Sequence, residues 1–224
     1  MGLGQHVPDD CSDLSCERCW ELVLEKSSNI PKTVELSELQ RYWELVLEKF
    51  VKLSELHLWD KSYDPDGEYW IVTKIFDDSA EVTKSHLLKK NMDFGRTNNY
   101  AVSKYKKFLN TEYIKEVERK FGPEYILSHS VDLTSMDGFK DYGSVEDRVT
   151  IRTFDQYRKQ APHFELENLV EWLATPNQTP KRNNTSYVQI VNTNGDVGYR
   201  DCNWGGDGVR PVLRLKSSIN VLIK

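Results

Sequence analysis

The stretch Tyr187–Arg200, YVQIVNTNGDVGYR, admits one compact local structure. Tyr187, Gln189 and Val191 alternate as a strand does, and a second alternating segment returns through Val197 and Tyr199. Between them Asn194-Gly195 favours a type I′ hairpin turn, because both residue types tolerate positive φ.

The same grammar of short strands and turn dipeptides runs through most of the chain. YWIVTKIF (69–76) and SAEVTKSHLL (79–88) read as two strands around Asp77-Asp78, and RVTIRTF (148–154) alternates likewise. Tyr125-Ile-Leu-Ser and Val131-Asp-Leu are shorter strand-like pieces. Gly208-Val-Arg-Pro-Val-Leu-Arg-Leu215 reads as a closing strand, with Pro211 marking an edge or a bulge. Against these strands stand few helices. Ser103 can cap one that runs to Gly122, and DQYRKQ can start a short one. Short strands with one or two helices predict an α+β domain over 61–224.

The segment before it is different. VELSELQRYWELVLEKFVKLSEL (34–56) places Leu36, Leu39, Trp43, Val46, Phe50 and Leu53 at spacings of three and four, which predicts an amphipathic helix within 31–60. Its WELVLEK also occurs at 20–26, after a cysteine cluster in 1–30. Two copies are too few for a solenoid and suggest a helical hairpin with Pro31 near its turn; the alternative is a first helix that docks on a partner.

Cys11, Cys16 and Cys19 offer three thiolates within nine residues. A closed structural zinc site needs four ligands, and His6 is the nearest fourth, Cys202 a more distant one. The cluster reads as a zinc knuckle or as free thiols. With net charge −5, the chain lacks the overall basic balance of a nucleic-acid backbone binder. It has no secretory leader pattern and no long apolar run, which leads to an expectation of a cytoplasmic protein.

Several ordered motifs carry a resemblance: Trp70-Ile-Val, Asp147-Arg-Val-Thr, Trp172-Leu-Ala-Thr-Pro, Asn194-Gly195-Asp196 and Gly208-Val-Arg-Pro-Val-Leu. Over roughly 68–220 the chain resembles a bacterial and prophage domain family of unknown function whose members end in a WLRSP…GVRPALWL pattern. That family resembles the C-type-lectin-like fold, shared by lectins, phage receptor-binding proteins and formylglycine-generating enzymes. Ala174-Thr175 departs from the Arg-Ser of the pattern. The acidic-Pro-Asn and Trp-Asn-Asp triplets that hold calcium and sugar in lectins are missing here, as is the late cysteine pair of the formylglycine enzymes.

No Ser-His-Asp constellation, phosphate loop or histidine ligand spacing is present, so the expectation is a non-enzymatic binding module. The resemblance implies a macromolecular ligand, most simply another protein, met by loops. Asn203-Trp204-Gly-Gly-Asp207, with Tyr199 and Arg200 just before it, is the candidate site. Trp204 there is either a ligand contact or a plug of the core. A phage origin would place the protein in the bacterial host cytoplasm, or in the virion if it is structural. Acidic residues crowding the first third permit a second reading, an anti-CRISPR-like inhibitor of a bacterial defence nuclease acting by protein contact.

Overall fold

A computed structural model describes residues 50–223 of the chain. Strands β1 (Phe50–Lys52), β2 (Lys61–Tyr63), β3 (Tyr69–Ile75), β4 (Ser79–Lys84) and β5 (Leu88–Lys89) come first. Helix α1 follows, continuous from Lys104–Phe108 through a π-turn at Leu109–Tyr113 to Ile114–Phe121. Then come β6 (Ile126–Leu127), β7 (His129–Asp132), β8 (Ser144–Asp147), β9 (Val149–Ile151) and helix α2 (Phe154–Gln160). The last strands are β10 (Glu171–Pro176), β11 (Tyr187–Val191), β12 (Val197–Asp201), β13 (Gly208–Val209), β14 (Pro211–Lys216) and β15 (Asn220–Leu222).

The larger sheet has the order β1-β15-β2-β3-β4-β14-β6, with β9 also paired to β14. The second has the order β12-β11-β10-β13-β5, and β7 pairs with β8 alone. Pairing among the described residues is antiparallel except for β10 with β13. The α+β class is therefore as the strand grammar predicts.

One apolar core joins both sheets to α1. Trp70, Val72, Val82 and Leu213 come from the larger sheet, Trp172, Val188 and Ile190 from the second, and all are buried. From α1 a row of buried residues runs Tyr105, Leu109, Tyr113, Val117 and Phe121, each four positions after the last, with Ile114 and Lys120 buried beside it. A regular helix turns every 3.6 residues or so and would rotate that row off the core. The π-turn adds a residue per turn and holds the row in place. Ser103 caps the helix by accepting from the Lys106 backbone N–H, and Gly122 ends it at φ 81°. Both ends agree with the sequence.

Three expectations fail. The helix expected over 34–56 does not reach its end, because Phe50–Lys52 is a strand paired with β15 and Leu53–Glu55 a single 3₁₀ turn. Residues 34–49 lie outside the described part. Leu53 is buried and its backbone N–H donates to Ile219, so pairing across the chain overrides the local period. Trp59 stacks on His163 with ring centroids 3.7 Å apart. Phe50–Lys52 is thus a strand of the larger sheet, ahead of the boundary expected at 61. Second, the hairpin turn is not type I′. Gly195 has φ 87° but Asn194 is not left-handed, and the Gly195 N–H donates to Asn192. That is a type I turn with glycine in the left-handed position, suited to the longer loop between Val191 and Val197. Third, Pro211 lies at neither an edge nor a bulge. It opens β14, which is interior to its sheet, and its missing N–H falls where the chain leaves one sheet for the other.

Among the described residues no helix is long and apolar enough to cross a membrane.

Candidate binding face at the end of the second sheet

Strand β12 is the last strand of its sheet, so its outer backbone edge has no ladder partner among the described residues. Side chains alternate along it. Tyr199 points to one face, 60% exposed, and its ring meets Tyr187 of β11 edge-on at 5.3 Å. These two residues are diagonal neighbours across the ladder, where aromatic side chains still reach one another. Arg200 points to the other face and forms an ion pair with Asp207.

That pair is asymmetric. One guanidinium nitrogen of Arg200 lies 2.8 Å from each carboxylate oxygen of Asp207. Asp207 is buried while the arginine side chain is 28% exposed. Burial pushes the Asp207 carboxyl up, and the neighbouring Arg200 charge opposes that shift. On its open side the guanidinium stands 5.5 Å from the centre of the Trp204 ring, within cation–π range.

Trp204 itself is 59% exposed, so it is not a plug of the core. Its loop is nevertheless built. Asp201 accepts from the backbone and side-chain nitrogens of Asn203 through Oδ1, and its carbonyl accepts from the Trp204 N–H. Gly206 turns the chain at φ 93°, and Gly205 bridges to Asp93. Tyr105 of α1 donates its hydroxyl to the Asp207 carbonyl at 2.7 Å, tying the far end of the loop to the core. The structure thus brings Arg200, Asn203, Trp204 and Asp207 together on one side of the end of β12, with Tyr199 on its other face. Asp207 serves there as a buried anchor, while the other four retain exposed surface.

The proposed metal ligands Cys11, Cys16, Cys19 and His6 lie outside the described residues. Cys202, the more distant candidate, is fully buried, and burial raises its thiol. Among the described residues no group of His, Cys, Asp and Glu could hold a metal ion.

The sequence reading missed Tyr187 as the partner of Tyr199; its signal was the hairpin register, which a type I′ turn would have set differently. It also missed a buried ionic network. Arg152 of β9's trailing end makes two bonds to Glu171 of β10, at 2.8 and 2.5 Å. Arg210 lies 3.5 Å from the same Glu171 and 3.1 Å from Glu167. Both guanidiniums stand 4.9 Å from the Phe164 ring. The signal was a charged residue in an otherwise apolar strand: Arg152 in VTIRTF, Glu171 before Trp172 and Arg210 in GVRPVL. Of the motifs behind the resemblance, Trp70-Ile-Val, Trp172-Leu-Ala-Thr-Pro and Gly208-Val-Arg-Pro-Val-Leu are buried, whereas Asn194-Gly195-Asp196 is a surface turn. No protein-family model, curated protein or solved structure matches this chain.

Proposed function

We propose that the domain is a non-enzymatic binding module that meets another protein through the end of its second sheet. On this reading the contact surface is the outer edge of β12 with Tyr199, Arg200, Asn203 and Trp204. One observation carries it: two large aromatic side chains, Tyr199 and Trp204, are each more than half exposed on a loop and edge strand that are otherwise firmly anchored. Tryptophan, tyrosine and arginine are the residues in which interface energy concentrates, and rigid aromatics give contact area at low entropic cost. An open strand edge adds backbone donors and acceptors to which an extended segment of the partner can pair. The lectin-like fold belongs to the same proposal, supported by the ordered motifs between Trp70 and Leu213. So does a zinc ion held by Cys11, Cys16, Cys19 and His6.

A photo-cross-linking residue at position 199 or 204 tests the face, with position 75, also an exposed apolar site, as control. The expected result is one protein adduct from host lysate at 199 and 204, absent at 75 and lost when Trp204→Ala is combined with the probe at 199. Equal labelling at 75 overturns the proposal.

A further inference from the structure

A cleft of about 520 Å³ opens where β3, β4, β7 with its following turn, helix α2 and the end of β10 meet. It lies within the size range of small-molecule sites, roughly 300–1,000 Å³. Two irregularities in the sheets feed it. In β3, Thr73 is an extra residue between the pairs Val72–Val82 and Lys74–Glu81. Its hydroxyl lies over Glu81 and donates to Oε1 at 2.9 Å. In β10 the register slips between Trp172 and Pro176, and Thr175 lines the cleft from there. Bulges re-aim single side chains, and they gather beside functional sites.

The polar groups come from separate elements, and each is held by a second partner. Gln156 Nε2 donates to Glu81 Oε2 at 3.0 Å, and Gln156 Oε1 accepts from the Thr153 backbone at 2.8 Å. The Thr175 hydroxyl oxygen accepts from the Phe154 N–H at 2.9 Å. Asp132 Oδ1 accepts from the backbone and hydroxyl of Thr134 at 2.8 and 2.6 Å. These groups are fixed before any ligand arrives, which lowers the entropic cost of binding.

Their remaining capacity defines the ligand. A carboxylate has about four acceptor positions, an amide nitrogen two protons and a hydroxyl one. Glu81 keeps acceptor positions open. The second N–H of Gln156, the Thr175 proton and Asp132 Oδ2 have no partner among the described residues. Burial raises the Glu81 carboxyl, so ligand donors there would offset a desolvation already present. Charges around the cleft balance, with Glu81, Asp132 and Asp155 against Lys74, Arg158 and Lys159. A phosphate would meet two of those carboxylates, and an ammonium would meet the lysines. A hydroxyl group donates and accepts without net charge, so it suits every open position, while Met136 and Phe154 offer apolar surface to C–H faces.

We propose that this cleft binds a neutral polyol directly, without a metal ion. The test is calorimetric and NMR titration of the full chain with myo-inositol, sorbitol and glucose, beside inorganic phosphate and ethylammonium. At least one polyol should bind saturably at about millimolar strength. Thr175→Val and Glu81→Gln should each weaken it tenfold or more, while Thr175→Ser restores it. Trp204→Ala should leave it unchanged, which keeps this site separate from the protein-binding face. Failure of all three polyols on the folded wild-type chain overturns the proposal. So does preference for phosphate or ethylammonium, or polyol binding indifferent to Thr175→Val.

Discussion

Arg152 and Arg200 both bind a carboxylate that the fold has buried, yet their surroundings assign them opposite roles. Arg152 is itself buried, shares Glu171 with Arg210, and lies against the Phe164 ring. Every charge in that group faces another charge or a hydrogen bond, and Arg210 also donates to the carbonyls of Lys84 and Ser85. Arg200 has Asp207 behind it and an exposed indole in front. Removing water from both partners makes a structural joint, which is costly to break although not necessarily stabilising relative to an apolar one. Leaving one partner half in water makes a fixed cation available to something outside the molecule.

The sharpest break in that comparison is Glu171→Ala. It leaves two buried guanidiniums without their shared carboxylate and should cost about 3–5 kcal/mol. Urea denaturation reads this as a lower midpoint at unchanged slope. A loss under about 1 kcal/mol would show that water enters the network freely.

Lys120→Met should cost somewhat less, about 3 kcal/mol. Lys120 lies between Asp64 at 2.9 Å, Glu68 at 2.8 Å, Glu116 at 3.1 Å and Asp66 at 3.2 Å. Burial alone would lower its affinity for a proton, but these carboxylates raise it well above the usual lysine range. Glu68 and Glu116 can turn to water in the variant. Asp64 is fully buried, but keeps the Trp70 indole N–H and two backbone N–H donors. A melt as deep as that of Glu171→Ala would mean those donors do not suffice.

His129 predicts a pH effect of about 3 kcal/mol. Burial pulls its imidazole from 6.5 to about 4, and its Nε2 lies 2.7 Å from the Thr150 hydroxyl oxygen. Between those pH values the unfolded chain binds a proton that the folded chain refuses. Stability is therefore full above about pH 6.5 and declines as the pH falls towards 4. His129→Gln should flatten this interval, and melts taken every half pH unit would reveal a slope that persists.

Arg200→Ala should cost only about 1–2 kcal/mol of stability, since Asp207 loses a partner that is partly in water. It should weaken partner capture more than it weakens the fold. Trp204→Ala lies at the end of the series. Its effect on stability should stay within about 0.5 kcal/mol, with a binding cost near 2 kcal/mol. A large drop in melting temperature for Trp204→Ala would move this indole to the structural side of the comparison.

Much of this was legible from residue patterns. Alternation marked the hairpin of β11 and β12, and cap chemistry at Ser103 and Gly122 bounded α1. The glycines around Trp204 marked a loop but left open whether its ring plugs the core, and the structure, with that ring 59% exposed, decides it. What escaped depends on partners distant in the chain. The helical spacing through Phe50 and Leu53 was real, but β15 pairs there and decides the matter. The glycine of Asn194-Gly195 took a left-handed conformation while its neighbour did not, so the dipeptide located the turn without fixing its type. The Arg152–Glu171–Arg210 joint and the cleft at Glu81 each draw on strands from separate parts of the chain, and no window of sequence contains either.

The passage of the chain from β13 to β14 at Arg210-Pro211 bears on the order of assembly. β14 is the strand that completes the middle of the larger sheet, and Leu213 pairs with Val82, more than half the chain's length away. On a ribosome, β3 and β4 emerge long before the strand that must lie beside them. Loop closure over such a distance slows folding, and the unfilled edge of β4 stays open to other chains meanwhile. Fusing a slow-releasing segment behind residue 224 should leave the yield of soluble protein intact, whereas stalling synthesis before Gly208 should expose that edge and favour aggregation.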